Sequence, residues 1–202
     1  MKIFILHHTP AIERKMKLQE DLSDVNLQYP IEWVEKFLPS EIDKTVNHNI
    51  KLSEASLSLK HRYVFEQILK HDMPYGIVFE DDVDILSVKK LNDFIEKSVR
   101  ELEYNFGDVL WIGDIWVGKY TVPKIHINEN QLSHFSDDYW SRATHAYIIS
   151  NSGARTMLQE YNLEEPIDHL FNTIKRHRQL RFGWTTPGIL QKSAEGVWSS
   201  LI

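Results

Sequence analysis

The sequence contains no cysteine, which excludes disulfide bonds, thiolate catalysis and zinc sites built on thiolates. It also lacks long apolar runs. The apolar opening segment, residues 2–6, is too short for a signal peptide, and no later segment approaches the ~18 apolar residues that a membrane-spanning helix needs. These absences predict a cytoplasmic protein whose contact with the inner face of a membrane is at most peripheral.

The chain has no excess of basic residues, since 23 Lys and Arg face 29 Asp and Glu, for a net charge of −6. Nucleic-acid binding proteins usually present a basic surface, so this balance argues against a nucleic-acid partner. An acidic protein that binds a phosphate-bearing ligand needs a local basic patch or a divalent cation to neutralise it. The length of 202 residues, without repeats or Gly/Ser linkers, predicts one domain over residues 1–202.

Short apolar segments alternate with helical ones through the first two-thirds of the chain. Strands are predicted over residues 2–6, 31–34, 75–79, 108–112 and 144–149. Helices are predicted over residues 11–22, from Ser53 and Glu54 to about residue 70, over 87–103, after a cap at Asn151 or Ser152, and from Pro166 to Arg176. In the first helix, Ile12, Met16 and Leu18 are expected to face the core. The alternation predicts an α/β fold with a largely parallel sheet.

Three consecutive carboxylates, Glu80-Asp81-Asp82, follow the strand predicted over residues 75–79. Ligands of open α/β sheets bind beyond the carboxyl ends of the strands, where this cluster lies. Three adjacent carboxylates repel one another, and an oxygen-ligated Mg²⁺ or Mn²⁺ would relieve that repulsion and bridge to substrate phosphates. The alternative is a solvated acidic turn without a ligand. The cluster alone suits a nuclease, a phosphatase or a transferase equally well.

Several short motifs surround the acidic cluster. They are residues 52–61 (LSEASLSLKH), Ala146-Tyr147-Ile148-Ile149-Ser150, Gly153-Ala154, Pro166-Ile167-Asp168, Pro187 with Gln191, and Ser199-Ser200. In this order and spacing the chain resembles glycosyltransferase family 25, which includes bacterial lipopolysaccharide galactosyltransferases and collagen galactosyltransferases. The resemblance extends from about Lys2 to Ile202.

The resemblance implies a GT-A-type, Rossmann-like fold that binds a nucleotide sugar. It further implies a site dependent on Mn²⁺ (or Mg²⁺), a UDP-sugar donor that is often UDP-galactose, and transfer with inversion at the anomeric carbon. The acceptor would be a saccharide or glycolipid, such as lipopolysaccharide or an oligosaccharide.

The acidic triplet of the family corresponds to Glu80, Asp81 and Asp82. Asp82 is then the best candidate for metal coordination, with Glu80 beside it, and Glu80 and Asp81 are expected near the nucleotide. The glutamate and histidine that precede this strand in the family correspond to Glu54 and His61. His61 would contact the nucleotide, or it is a structural histidine with satisfied hydrogen bonds.

The chain departs from the family pattern at two places. Lys60 stands where serine often precedes the histidine. His7-His8-Thr9-Pro10 replaces an asparagine-leucine pair and an arginine-rich turn, which leaves Arg14 as the equivalent basic residue for the nucleotide.

An inverting transferase needs a base that takes the proton of the acceptor hydroxyl, and a carboxylate within hydrogen-bond reach can do so. The proline-hydrophobic-aspartate motif of the family corresponds to Pro166 and Asp168, so Asp168 is the predicted base. Alternatively, Asp168 only stabilises the positive end of a helix dipole, and Asp114 or Asp138 is the base.

Two other functions remain open. One is a divalent-metal phosphoesterase that uses the same carboxylates to activate water. The other is a catalytically degenerate relative that binds a sugar nucleotide or a glycan without turnover.

Overall fold

A computed structural model describes residues 1–43, 49–113, 132–135, 144–178 and 180–191. In chain order the elements are β1 (Lys2–Leu6), α1 (Ile12–Val25), β2 (Ile31–Val34), α2 (Leu52–Lys70), β3 (Tyr75–Glu80), β4 (Val83–Asp84), a 3₁₀ turn (Ile85–Ser87), α3 (Leu91–Tyr104), β5 (Val109–Gly113), β6 (Leu132–Phe135), β7 (Ala146–Ser150), α4 (Asn151–Gln159), α5 (Ile167–Arg178) and β8 (Phe182–Gln191). The alternation of strands and helices is that of an α/β fold.

The strands form one eight-stranded sheet with the order β2-β1-β3-β7-β5-β8-β4, and β6 also pairs with β8. In the central part, β1, β2, β3, β5 and β8 run in one direction, and β7 runs against them between β3 and β5. The predicted α/β fold class with a mostly parallel central sheet is therefore confirmed. The assignment of the whole chain 1–202 to one domain stays a prediction.

Helices cover both faces of the sheet because successive side chains of a strand point to opposite faces. In β1, Phe4 and Leu6 pack into a core with residues of α2, α4 and α5. Ile3 and Ile5 pack into a second core with residues of α1 and α3. Strands buried on both faces require nearly continuous apolar sequence, as β1, β3, β5 and β7 have.

Three details differ from the predictions. Ile12 and Met16 are 65% and 64% exposed, so their predicted burial is wrong, whereas Leu18 is buried as expected. The first turn of α4 is capped by Ser150, whose Oγ accepts a hydrogen bond from the backbone N–H of Gly153. This cap lies one residue before the predicted Asn151, because the strand runs directly into the helix.

Candidate active site

Four strand ends meet around the acidic triplet. Because β1 and β3 are parallel, His7 follows β1 at the same edge where Glu80 ends β3. Because β7 is antiparallel to β3, the residues that precede β7 lie at this edge as well. Beyond the triplet, β4 pairs with the end of β8 and brings Gln191 opposite Val83. The predicted position of the carboxylates at the carboxyl end of a central strand is thus observed.

Asp81 is buried and uses both of its carboxylate oxygens within the protein. Oδ2 lies 2.8 Å from Nδ1 of His7 and accepts a hydrogen bond of 2.9 Å from the backbone N–H of His8. Oδ1 accepts a hydrogen bond from the guanidinium group of Arg14 at 3.2 Å. Asp81 therefore fixes the turn that follows β1 against the end of β3.

Lys60 completes this turn from the side of α2. Its ammonium group is buried and donates a hydrogen bond of 2.8 Å to the backbone carbonyl of His7. Burial lowers the pKa of Lys60, although the negative charge of Asp81 opposes that shift. The predicted nucleotide contacts of Arg14 and Asp81 stay predictions, and in this structure the two side chains bind each other.

Asp82 has the most unusual carboxylate of the triplet. Its Oδ2 accepts a hydrogen bond of 2.9 Å from the side-chain amide of Gln191. Its Oδ1 is buried and has no hydrogen-bond partner among the described residues. Burial, together with the charges of Glu80 and Asp81, raises the pKa of Asp82 to about 7, although the hydrogen bond from Gln191 opposes the shift. A buried oxygen left without a donor is costly unless a ligand satisfies it.

Glu80 is held by one of its two carboxylate oxygens. Oε1 accepts a hydrogen bond of 2.7 Å from the hydroxyl group of Thr144, and Nε2 of His61 lies 3.9 Å from the same oxygen. Because 3.9 Å is too long for a hydrogen bond, the interaction with His61 is electrostatic. Burial alone would raise the pKa of Glu80, but His61 and Thr144 stabilise the charged form and together keep the pKa below its usual value.

His61 is completely buried behind Glu80. Its Nδ1 lies 2.6 Å from the hydroxyl oxygen of Tyr147, and the two rings are nearly parallel, with centroids 5.6 Å apart. In this position His61 faces the end of β3 and is shielded from solvent. A nucleotide contact of His61 stays a prediction, while its structural contacts are clear.

Glu54 and Asp168 lie at helix N-termini. Glu54 is in the first turn of α2, where its carboxylate accepts a hydrogen bond from the backbone N–H of Lys51. Asp168 is in the first turn of α5, where its Oδ1 accepts a hydrogen bond from the backbone N–H of His169. Their predicted roles in binding and catalysis stay predictions. The alternative bases Asp114 and Asp138 lie outside the described residues.

A divalent cation fits the site in one specific way. Among the residues with described positions, no group of three or more His, Asp or Glu side chains is arranged to hold a metal ion. Mg²⁺-type sites, however, commonly use only one or two protein carboxylates and complete their coordination with substrate phosphates and water. Oδ1 of Asp82, which lacks a partner within the described ranges, matches such a sparse set together with Glu80 two residues before it.

The sequence did not predict the roles of Thr144, His145 and Tyr147. The ring of His145 is buried, and its Nε2 lies 3.2 Å from the backbone carbonyl of Ile189, while Cβ of an alanine at Gly113 would collide with that ring. These polar residues reach the site because β7 is reversed relative to its neighbours. The pattern of a buried strand does not reveal its direction, so no signal in the sequence identified them.

Within the described part of the chain, no helix combines the length and apolarity needed to cross a membrane. The predicted cytoplasmic location stays a prediction.

The chain was compared with curated proteins, with solved structures and with protein families. No curated protein matches it. Among solved structures, a glycosyltransferase involved in the glycosylation of the major capsid of PBCV-1 aligns over 88% of this chain and 68% of that one, with 13% identity and a TM-score of 0.41. A CMP:2-keto-3-deoxy-manno-octonic acid synthetase complexed with CTP aligns over 93% of this chain and 75% of that one, with 9% identity and a TM-score of 0.40.

The comparison with protein families is the informative one. A family model described as glycosyltransferase family 25 (LPS biosynthesis protein) matches residues 1–171, which confirms the resemblance seen in the motifs. The chain therefore belongs to glycosyltransferase family 25.

Proposed function

We propose that this glycosyltransferase transfers a hexose, most simply galactose, from a UDP-sugar to a saccharide or glycolipid acceptor with inversion, in a reaction that depends on Mn²⁺ or Mg²⁺. The observation that carries the proposal is the buried Oδ1 of Asp82 at the carboxyl end of β3, which has no hydrogen-bond partner in the part of the chain that the structure describes. A carboxylate in this state is poised to bind a cation, because the cation supplies the missing partner and favours the charged form.

Asp82 would hold the cation, and Glu80 would assist it. When bound, the cation supplies positive charge that stabilises the UDP leaving group. Arg14 has a partly exposed guanidinium group beside this edge and is the basic residue proposed to assist at the diphosphate.

Asp168 is the proposed base. Its carboxylate is in the first turn of α5, where the helix dipole favours the charged form that a base requires. In the proposed reaction it accepts the proton of the acceptor hydroxyl as the acceptor oxygen attacks the anomeric carbon and the bond to UDP breaks.

The proposal is tested by calorimetric titration of UDP, UDP-galactose, UDP-glucose and GDP-mannose, with and without Mn²⁺. Wild-type protein should bind the uridine nucleotides in a Mn²⁺-dependent way, and the Asp82→Asn variant should not. Asp93→Asn is the matched control, because it removes the same charge from an exposed position on α3. The proposal fails if no nucleotide binds with or without Mn²⁺, or if Asp82→Asn binds as the wild type does.

A further inference from the structure

Three polar side chains lie buried behind Glu80. Tyr147 and His61 are both completely buried, and Thr144 is nearly so. All three come from elements that flank β3: Tyr147 lies in β7, Thr144 precedes β7, and His61 lies in α2. Burial of polar groups is costly unless their hydrogen-bonding groups find partners, so the contacts among these side chains matter.

The hydrogen bonds among these side chains have a defined direction. Burial raises the pKa of Tyr147 well above its usual value, and the charge of Glu80 raises it further, so its hydroxyl group keeps its proton. When this hydroxyl group donates a hydrogen bond to Nδ1 of His61, Nε2 carries the ring hydrogen and faces Oε1 of Glu80. The opposite tautomer would turn a lone pair toward the carboxylate, which is electrostatically unfavourable.

Two groups therefore converge on a single oxygen of Glu80. The hydroxyl group of Thr144 donates to Oε1, and the N–H of His61 faces that oxygen from 3.9 Å. Nε2 of His61 is buried and has no other partner in the described residues, so this interaction is the one that it can make. Oε2 has no hydrogen-bond partner among the described residues, and the side chain of Glu80 retains 17% exposure.

We propose that Thr144, His61 and Tyr147 are positioning residues that anchor Oε1 of Glu80 and so reserve Oε2 for the complex of cation and nucleotide diphosphate. This inference rests on the proposed function. Groups that hold a ligating carboxylate in place commonly change metal affinity about 10- to 100-fold when they are removed. His61 acts through Glu80, and Tyr147 acts through His61.

The test measures the affinity for UDP in the presence of Mn²⁺ by calorimetry, and stability by urea denaturation. Thr144→Val and Tyr147→Phe each remove one hydroxyl group and should weaken UDP binding about 10-fold or more. Thr144→Ser keeps the hydroxyl group and should restore the affinity. Thr156→Val on α4 and Tyr104→Phe at the exposed end of α3 are the matched controls.

A double-mutant cycle with Glu80→Gln separates positioning from general damage to the fold. If Thr144 acts through Glu80, Thr144→Val should have almost no further effect on affinity in the Glu80→Gln background. Fully additive losses, or unchanged affinity in both hydroxyl-deletion variants, would overturn the inference while leaving the proposed function intact. Absence of UDP binding by the wild-type protein would overturn both.

Discussion

The ammonium group of Lys60 donates a hydrogen bond to the backbone carbonyl of His7, and the two atoms are 2.8 Å apart. These residues belong to the two places where the sequence departs from the pattern of its family. In the structure the two departures contact each other, because the lysine of α2 donates its hydrogen bond to a carbonyl of the altered turn after β1. Asp81 holds the same turn from the other side.

Lys60→Met should destabilise the protein, because methionine fills the space of the aliphatic stem but leaves the carbonyl of His7 without its donor. The loss of unfolding free energy is expected to be about 1–3 kcal/mol, the usual cost of one unsatisfied buried group. Urea denaturation measures it. Lys89→Met is the control, since Lys89 is exposed, and an equal loss in both variants would contradict the role of Lys60.

Asp81→Asn and Asp82→Asn should have opposite effects, although the residues are adjacent. Asp81→Asn should mainly lower stability, whereas Asp82→Asn should mainly weaken UDP binding. Asp81→Asn removes the charge that pairs with Arg14, and the expected loss of stability is about 2–3 kcal/mol. This value is below the range for fully buried ion pairs because the side chain of Arg14 is 32% exposed. Asp81→Asn should weaken Mn²⁺-dependent UDP binding much less than Asp82→Asn does. Equal losses of affinity in folded protein would show that Asp81 is itself a ligand.

Asp82→Asn should stabilise the metal-free protein at alkaline pH. The pKa of Asp82 is raised from 3.8 to about 7, so the folded state retains a proton that the unfolded chain releases. Wild-type stability should therefore fall as pH rises from about 4 to about 7, and remain reduced above that range. Asparagine does not titrate, so the variant should be more stable than the wild type at pH 8.

The difference in stability between Asp82→Asn and wild type should shrink toward pH 4. Denaturation in the presence of a chelator, repeated across this pH range, measures the difference. A difference that does not change with pH would show that the carboxyl group of Asp82 has no raised pKa. Mn²⁺ with UDP should stabilise the wild type alone, because only a ligand bound by the folded state raises its stability.

Asp168→Asn should lower the rate of sugar transfer without changing the affinity for UDP. Loss of a general base commonly reduces kcat about 10²- to 10⁴-fold. Steady-state kinetics with UDP-galactose and an accepted saccharide measure kcat, and calorimetry measures UDP binding. Asp24→Asn, a change at the exposed side of α1, is the control. Normal kcat in Asp168→Asn would assign the base to another carboxylate.

The sequence predicted helices and strands well where a single local pattern, such as an apolar run or a helix-start motif, was strong. The apolar run before Glu80 identified β3. Ser53 and Glu54 indicated the start of α2, where the carboxylate of Glu54 accepts a hydrogen bond from the backbone N–H of Lys51. The predicted burial of Ile12 and Met16 is wrong because burial in α1 depends on which face of the helix packs against the sheet. That face is set by tertiary structure and not by the presence of apolar residues.

The sequence predicted where the site lies, but it did not predict which residues contact the acidic triplet. Position after a buried strand located Glu80, Asp81 and Asp82, whose adjacency suggested a shared role. Their hydrogen-bond partners Thr144, His7 and Gln191 lie 64, 74 and 109 positions away in the sequence, and the direction of the strands decides which residues these are. Only the folded geometry distinguishes the two aspartates. Asp81 uses both of its oxygens within the protein, whereas Oδ1 of Asp82 has no partner among the residues whose positions are described.

The acidic triplet connects three parts of the sheet through three consecutive side chains. Glu80 contacts Thr144, two residues before β7, Asp81 contacts the turn after β1, and Asp82 contacts the last residue of β8. A single inserted or deleted residue within this segment would shift all three side chains to the wrong neighbours at once. The length of this segment is therefore constrained by every strand that it joins, in addition to the constraints on its individual residues.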